Sequence, residues 1–353
     1  MSLLFTHKKI GNLELPNRFV RSATYEGLAK ETGEVSDELI KGYERLAKGD
    51  ISLIITGHMF VHSSGKANKY QTGIHSDEMI SGLKKITETV QRNGGKIAFQ
   101  LSHGGRQTTK DLIGQAPIGP SSKGRDPLYF VKPREMTEDD IQEIIRSFGA
   151  AAKRAVVSGA DGIQIHAGHG FLINEFLSPF YNYRADSWGG SDENRFRFLK
   201  EVVEEVKTIV PAGFPILIKI NAYDHTPKRG ITLSQATRYA AWLAALGVDG
   251  VELSCGTMYY SYMNLCRGDV PINELLKSLP WWQKPLGRLM LGKLKGKYDL
   301  KEGYNLEDTK MIKSALGNTP LFLVGGMRTV AQMEYVLEND YADFISMSRP
   351  FIR

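Results

Sequence analysis

Apolar residues gather into eight short runs along this chain, and between successive runs lie segments whose apolar positions recur every three or four residues. The short runs read as strands: Arg18 to Ala23, Ile51 to Thr56, Lys96 to Leu101, Gly162 to His166, Ile216 to Ile220, Gly250 to Leu253, Leu321 to Val324 and Phe344 to Met347. The segments between them read as helices: Asp37 to Lys48, Ser76 to Asn93, Thr137 to Ser158, Ser191 to Val210, Thr232 to Leu246, Leu306 to Leu316 and Thr329 to Asn339. Helix ends carry fitting chemistry. Thr137 precedes Glu138-Asp139-Asp140 and Ser191 precedes Asp192-Glu193, so a side-chain oxygen can cap free N–H groups while acids meet the helix dipole. Gly159 and Gly247 stand where left-handed C-caps belong.

Strands that alternate with helices imply a parallel sheet, and eight such units in one chain predict a closed (β/α)8 TIM barrel. No G-x-G-x-x-G follows the first strand, which counts against an open dinucleotide-binding sheet. Two short extended runs around Gly11-Asn12 predict a β-hairpin before the barrel. The segment Tyr259 to Gly303, with Pro280-Trp281-Trp282 and several lysines, is too long for a plain connection. It predicts an excursion between strands six and seven, near the barrel mouth, able to close over a substrate. After strand eight, Ser348-Arg349-Pro350-Phe351-Ile352-Arg353 leaves no residues for an eighth outer helix.

With 353 residues and 42% hydrophobic content, the chain has ample material for one large core. No apolar run approaches the ~18 residues of a membrane span, and the N-terminus lacks the h-region of a signal peptide. Both predict a cytoplasmic protein without membrane partners. Cys255 and Cys266 cannot build a disulfide framework, although one could be a reactive thiol. The net charge of +6 is spread out, with no basic stripe interleaved with aromatics, so nucleic acid is not expected; a basic surface favouring anionic ligands is.

The most informative stretch is Ile163-Gln164-Ile165-His166-Ala167-Gly168-His169-Gly170-Phe171, where an alternating strand ends in two histidines and two glycines. In a barrel of this kind, chemistry collects at the C-terminal strand ends. Three readings of His166 and His169 stay open on residues alone: a metal pair that needs a third ligand, a hydrogen-bonded loop pair, or donors that polarise a carbonyl oxygen, with Gly168 and Gly170 leaving room for the ligand. Gly325-Gly326 after strand seven and Ser348-Arg349 after strand eight suit phosphate, or are turn glycines and a surface arginine. Further polar residues stand at strand ends: Ser22, Ala23, Thr24 and Tyr25 after strand one, His58 after strand two, Gln100 and His103 at strand three, and Lys219 at strand five.

Several stretches match one family. They are Leu15-Pro16-Asn17-Arg18, Gly73-Ile74-His75-Ser76-Asp77-Glu78, Gln100-Leu101-Ser102-His103-Gly104-Gly105-Arg106, Ile165-His166-Ala167-Gly168-His169-Gly170 and Phe176-Leu177-Ser178-Pro179. Most specific is Asn182-Tyr183-Arg184-Ala185-Asp186-Ser187-Trp188-Gly189-Gly190-Ser191-Asp192-Glu193-Asn194-Arg195-Phe196-Arg197-Phe198-Leu199. Over nearly its whole length the chain resembles the old yellow enzyme family of FMN-dependent NAD(P)H:flavin oxidoreductases. The resemblance implies one FMN-binding barrel domain over residues 1–353, with NADH or NADPH as reductant and no metal. By position it implies that Ser22, Ala23, Thr24 and Tyr25 border the flavin ring and that His58 stands where a small flavin-facing residue is usual. Gln100 would bond the pyrimidine edge. Lys219, where the family usually has Arg, would face N1 and O2, and Gly325, Gly326, Ser348 and Arg349 would take the phosphate. His166 and His169 would bind the substrate's carbonyl oxygen.

The implied reaction is a ping-pong reduction of an α,β-unsaturated carbonyl or similar electron-poor acceptor, by hydride transfer through flavin N5. Two rivals keep the flavin: an NAD(P)H:quinone or diaphorase-type reductase, and an inert flavin-binding subunit of a redox complex. The expected partner is a small electron-poor alkene or quinone-like molecule, and a homo-oligomer is compatible with the sequence. The chain departs from the family pattern at Phe171, where a proton-donating tyrosine is usual; Tyr25, Tyr183, Tyr223, Tyr259 or solvent could substitute. Tyr25 also stands where many relatives have a flavin-tuning Cys or Thr. The sequence stops before the iron-sulfur segment that larger relatives carry.

Overall fold

Eight parallel strands close on themselves: β1 (Phe19–Arg21), β2 (Leu53–Ile55), β3 (Ile97–Ser102), β4 (Gly162–Ala167), β5 (Ile216–Asn221), β6 (Gly250–Ser254), β7 (Leu321–Val324) and β8 (Phe344–Met347). Each pairs with its neighbour in sequence, β8 pairs with β1, and β2 pairs with β3 to complete the ring. The computed structural model describes residues 2–125, 131–265, 267–268, 272–277, 281–292 and 296–352.

Alternation along the strands sorts the core into two layers. One parity, exemplified by Ile163, Ile165, Ile218 and Val251, packs outward against the helices Asp37–Ala47, Ile80–Arg92, Glu138–Val157, Asp192–Ile209, Leu233–Ala245 and Leu306–Leu316. The other parity fills the barrel: Val20, Leu53, Ile55, Ala98, Leu217, Phe322 and Phe344 form a buried cluster with Ile10 and Leu15. Phe322 and Phe344 stack there at 4.5 Å. Full burial of each such ring is worth roughly 2–3 kcal/mol.

Ile10 and Leu15 belong to the expected hairpin, whose strands Lys8–Ile10 and Leu13–Leu15 pair antiparallel. Asn12 donates its N–H to Gly213 O, just before β5, so the hairpin plugs the N-terminal end of the barrel. All chemistry is thereby left to the other end. The helix caps also form as the sequence implies. Thr137 and Asp140 make a reciprocal capping box, Ser191 Oγ accepts from Asn194 N, and Gly159 and Gly247 are left-handed.

Between β6 and β7 lies the predicted excursion, with helices Tyr262–Leu265, Ile272–Lys277 and Lys284–Gly292. Its first turn is fastened to the strand-four loop, where Met258 N–H donates to His169 O at 3.1 Å. After β8 the chain makes a single 3-10 turn, Arg349–Phe351. Among the described residues no helix is long and apolar enough to cross a membrane.

Candidate active site

Toward the C-terminal ends of β3 to β6 the inward-facing positions change from apolar to polar. Gln100, Gln164, Lys219 and Glu252 are all buried and bonded in series. Gln100 Nε2 donates to Gln164 Oε1 at 2.7 Å, and Gln164 Nε2 donates to Glu252 Oε2 at 3.1 Å. Lys219 Nζ lies 3.1 Å from the same carboxylate oxygen and donates to Ser22 Oγ at 2.9 Å. Buried charges require such pairing, because desolvation without it would cost several kcal/mol per ion.

One inward step beyond this layer are His166 on β4 and Ser254 on β6. The His166 and His169 rings lie 5.0 Å apart, and His169 Nε2 is 2.7 Å from Ser254 Oγ. Burial, with adjacent positive groups, holds both histidines well below the ordinary imidazole range, so both are neutral at neutral pH. His166 Nδ1 is buried without a partner among the described residues. An orphaned lone pair costs less than an orphaned N–H, which assigns the single proton of His166 to Nε2.

His169 adopts φ +62°, a left-handed conformation unusual for a residue with a side chain. A polar frame imposes it. Asn221 Oδ1 accepts from His169 N at 3.2 Å, Gln107 Nε2 donates to His169 O at 2.7 Å, and Asn174 Oδ1 accepts from Gly170 N at 2.7 Å. Both asparagines then donate to Asp224 Oδ1, at 3.0 and 3.2 Å. The space beside the two glycines, read from sequence as room for a ligand, is taken by this frame. A Cβ on Gly168 would lie 2.8 Å from Asn221 Oδ1, and one on Gly170 would lie 2.5 Å from Gln107 Nε2.

Phe171 is buried with its ring 4.7 Å from His166 and 5.0 Å from His58. Gln71 fixes the tautomer of His58. Gln71 Oε1 accepts from Ala67 N at 2.7 Å, so its amide nitrogen is the atom 2.8 Å from His58 Nδ1, and that ring nitrogen must accept. Burial lowers the His58 pKa to about 4. The neutral ring therefore carries its proton on Nε2, which has no partner among the described residues.

Tyr25, 41% exposed, lies 5.7 Å from His58, whereas Tyr183 faces Lys123 and Tyr223 faces His225. Gly57 lets the loop after β1 approach β2, since a Cβ there would lie 2.7 Å from Thr24 O. Thr24 Oγ1 donates to Ser22 O, and Ala23 packs on the barrel's inner cluster.

On the other side of the mouth, Gly325 and Gly326 both have positive φ, +154° and +72°. Among the described residues the N–H groups of Gly326 and Ser348 have no hydrogen-bond partner. Arg349 is exposed and donates through Nη2 to Arg267 O at 2.7 Å. Ser346 Oγ, on β8, is buried without a partner among the described residues. The structure thus brings His58, His166, His169 and Tyr25 together, sets the Gln100–Lys219 layer beneath them, and leaves the glycine and arginine residues at the β7 and β8 ends. No group of three or more His, Cys, Asp or Glu side chains among the described residues is placed to hold a metal. Cys255 is buried; Cys266 lies outside the described residues.

Sequence reasoning missed Gln71, Gln164, Asn221, Asp224 and Glu252. Gln164 and Glu252 did leave a signal, since each is a polar residue inside an apolar strand, in Ile163-Gln164-Ile165 and Val251-Glu252-Leu253.

Comparison with known proteins adds to this geometry. Residues 3–261 match the model of the NADH:flavin oxidoreductase / NADH oxidase family. The chain is 32% identical over 350 residues to an NADPH dehydrogenase of Clostridium acetobutylicum, covering 99% of this chain and 91% of that protein. It is 32% identical over 353 residues to an NADH oxidase of Thermoanaerobacter brockii, covering 99% of this chain but 49% of the relative, so it spans about half that protein's length. An old yellow enzyme homologue from Zymomonas mobilis superposes with a TM-score of 0.78 at 24% identity, over 99% of this chain and 89% of the other, and shares its fold. The chain belongs to the NADH:flavin oxidoreductase / NADH oxidase family and is an FMN-dependent oxidoreductase of the old yellow enzyme type.

Proposed function

We propose that the barrel mouth holds FMN across its strand ends and that the protein uses NAD(P)H to reduce an α,β-unsaturated carbonyl or similar electron-poor small molecule, in two half-reactions of ping-pong type. The residues present suit the cofactor. Gln100 Oε1 and one N–H of Lys219 remain for a heterocycle edge that offers both donors and acceptors, with Ser22, Ala23, Thr24, Tyr25 and His58 bordering the ring. The unpartnered N–H groups of Gly326 and Ser348, with Gly325 and Arg349, suit a phosphate. When bound, FMN supplies the hydride-transfer chemistry.

The protein's own part is positional and electrostatic. His166 and His169 hold the carbonyl oxygen of the acceptor and stabilise the charge that grows on it; preorganised donors in a dry site are worth roughly 3–4 kcal/mol each. Neutral imidazoles serve this better than imidazolium ions, because they donate without surrendering their protons. Tyr25 is the candidate proton source. Burial pushes its phenol up, so the proton stays on at neutral pH until a basic carbon draws it off. The reading also takes the protein to be cytoplasmic.

One observation carries the proposal: two buried, neutral imidazoles 5.0 Å apart at the end of β4, one of them clamped by its own backbone. Anaerobic bleaching of the yellow protein by NADH or NADPH, followed by reoxidation with cyclohexenone-type compounds and with quinones, tests it. Rapid reoxidation by the enones supports the proposal, and reoxidation by quinones alone overturns it. Phe171 favours that second reading, an NAD(P)H:acceptor reductase, because electron transfer to a quinone needs no positioned phenol.

A further inference from the structure

The chain Gln100–Gln164–Glu252–Lys219–Ser22 has a direction. Either glutamine amide could be turned end for end at little cost to its own packing. Glu252 removes that freedom, because an ionised carboxylate only accepts. Gln164 must then present Nε2 to Glu252 Oε2, at 3.1 Å, which turns its Oε1 toward β3. Gln100 must in turn present Nε2 to that oxygen, at 2.7 Å. That fixes Gln100 Oε1, an acceptor, at the free end, beside the second N–H of Nε2.

Glu252 has a second effect at Lys219. Its Oε2 takes the ammonium at 3.1 Å, and both side chains are buried, so the cation beside the site is offset by an equal negative charge. Glu252 Oε1 is buried and has no hydrogen-bond partner among the described residues. A carboxylate kept half-satisfied in the core, where each missing hydrogen bond costs roughly 1–3 kcal/mol, is poorly explained as a stability device.

We propose that Glu252 is a positioning residue for the flavin. Through Gln164 it aims an acceptor from Gln100 at the N3–H of the pyrimidine edge, and through Lys219 it trims the positive charge that would otherwise stabilise negative charge at N1 and O2. This rests on the assignment of the barrel mouth as the FMN site. The consequence is a bound flavin of lower reduction potential than Lys219 alone would set, one that holds negative charge on its pyrimidine edge less readily.

Sulfite is a suitable probe. Its sulfur lone pair forms a bond to flavin N5, and the displaced electron pair comes to rest on the N1–O2 edge, so affinity reports the charge there without turnover. With reconstituted holoprotein, Glu252→Gln binds sulfite at least ~10-fold tighter than wild type, equivalent to a rise of about 30 mV in a two-electron potential. Lys219→Met binds it more weakly. The double variant Lys219→Met/Glu252→Met lies closer to wild type than Lys219→Met does, since it removes both charges together and replacing a buried ion pair by apolar groups is well tolerated. Sulfite affinity of Glu252→Gln within ~2-fold of wild type overturns the proposal. Should that variant fail to fold, a double variant no tighter than Lys219→Met overturns it equally. A wild-type protein that stays colourless after reconstitution removes the flavin site itself, a result distinct from either.

Discussion

Phe171 packs against His166, ring centroids 4.7 Å apart at 46°, in the place where the family pattern has a tyrosine. The ring is buried between His166 and His58, so a hydroxyl added there is expected to face the barrel mouth rather than solvent. General acids in such positions contribute roughly 10²- to 10⁴-fold. Phe171→Tyr is expected to accelerate reoxidation of the reduced protein by enones by about 10-fold or more, and to leave reoxidation by quinones within ~2-fold. Stopped-flow traces with both acceptors measure this; equal changes for the two would locate the effect in the flavin rather than in proton transfer.

The proton of His166 lies on Nε2 because Nδ1 is buried without a partner among the described residues, which makes that N–H a ready donor to an oxygen anion. A hydrogen bond to a charged group is worth about 1.5–3 kcal/mol. His166→Ala should therefore weaken phenolic ligands of the oxidised protein about 10- to 100-fold, read from the absorbance change of the flavin. His58→Ala should do so less, since the proposed carbonyl oxygen contact is assigned to His166 and His169 and His58 stands beside them, its ring 6.4 Å from that of His166. Unchanged affinity in His166→Ala would take that residue out of the ligand site.

His103 makes the fold lose stability on acidification. Gly105 N–H donates to Nδ1 at 3.0 Å, so the proton sits on Nε2, 3.0 Å from Ser64 Oγ, and both nitrogens are satisfied in the neutral ring. Burial lowers its folded pKa to about 3, against roughly 6.5 unfolded. As pH falls through 6.5 the unfolded chain takes up a proton and the folded chain does not, so stability present above 6.5 is lost on acidification. His58, His166 and His169 act in the same sense. Glu175, pushed up to about 7 by burial, and Asp224, also raised, oppose them. Between pH 7 and 5.5 wild type should lose about 1 kcal/mol more than His103→Gln. Urea denaturation at the two pH values measures the difference.

The barrel was legible because its strands are separate apolar runs with clear stops, and the helix Leu306–Leu316 has the bounds its periodicity implies. His166 and His169 were legible for a related reason: they end an alternating strand at the face where such barrels do chemistry. What escaped is the network that only closure creates: Gln100 and Lys219 stood out singly at strand ends, but their link through Gln164 and Glu252 did not. Gln100, Gln164, Lys219 and Glu252 are separated by 33 to 64 positions between successive members, and each looks like an isolated polar residue until four strands align them in register. The reading of Gly168 and Gly170 as room for a ligand failed for the opposite reason. A glycine reports that something comes close, and at Gly168 and Gly170 the visitor is Asn221 or Gln107 rather than a ligand.

Asp224 was invisible for the same cause, and it anchors the histidine loop. Four donors converge on its two oxygens: Asn221 Nδ2 at 3.0 Å, Asn174 Nδ2 at 3.2 Å, Ser178 Oγ at 2.5 Å and Ile231 N at 2.8 Å. Asp224→Asn keeps the shape but turns an amide NH2 either toward the Nδ2 groups of Asn174 and Asn221 or toward Ile231 N–H, all of which can only donate. Breaking such a buried network costs about 3 kcal/mol, and the loss should fall first on the left-handed backbone of His169, which Asn221 holds and which only a fixed frame sustains. The variant is expected to unfold at lower urea by that amount and to bind phenolic ligands about 10-fold more weakly. Asp224→Glu, which restores the acceptors at the cost of one methylene, should recover part of the ligand affinity; a loss of stability with ligand affinity intact would show that His169 holds its conformation without Asp224.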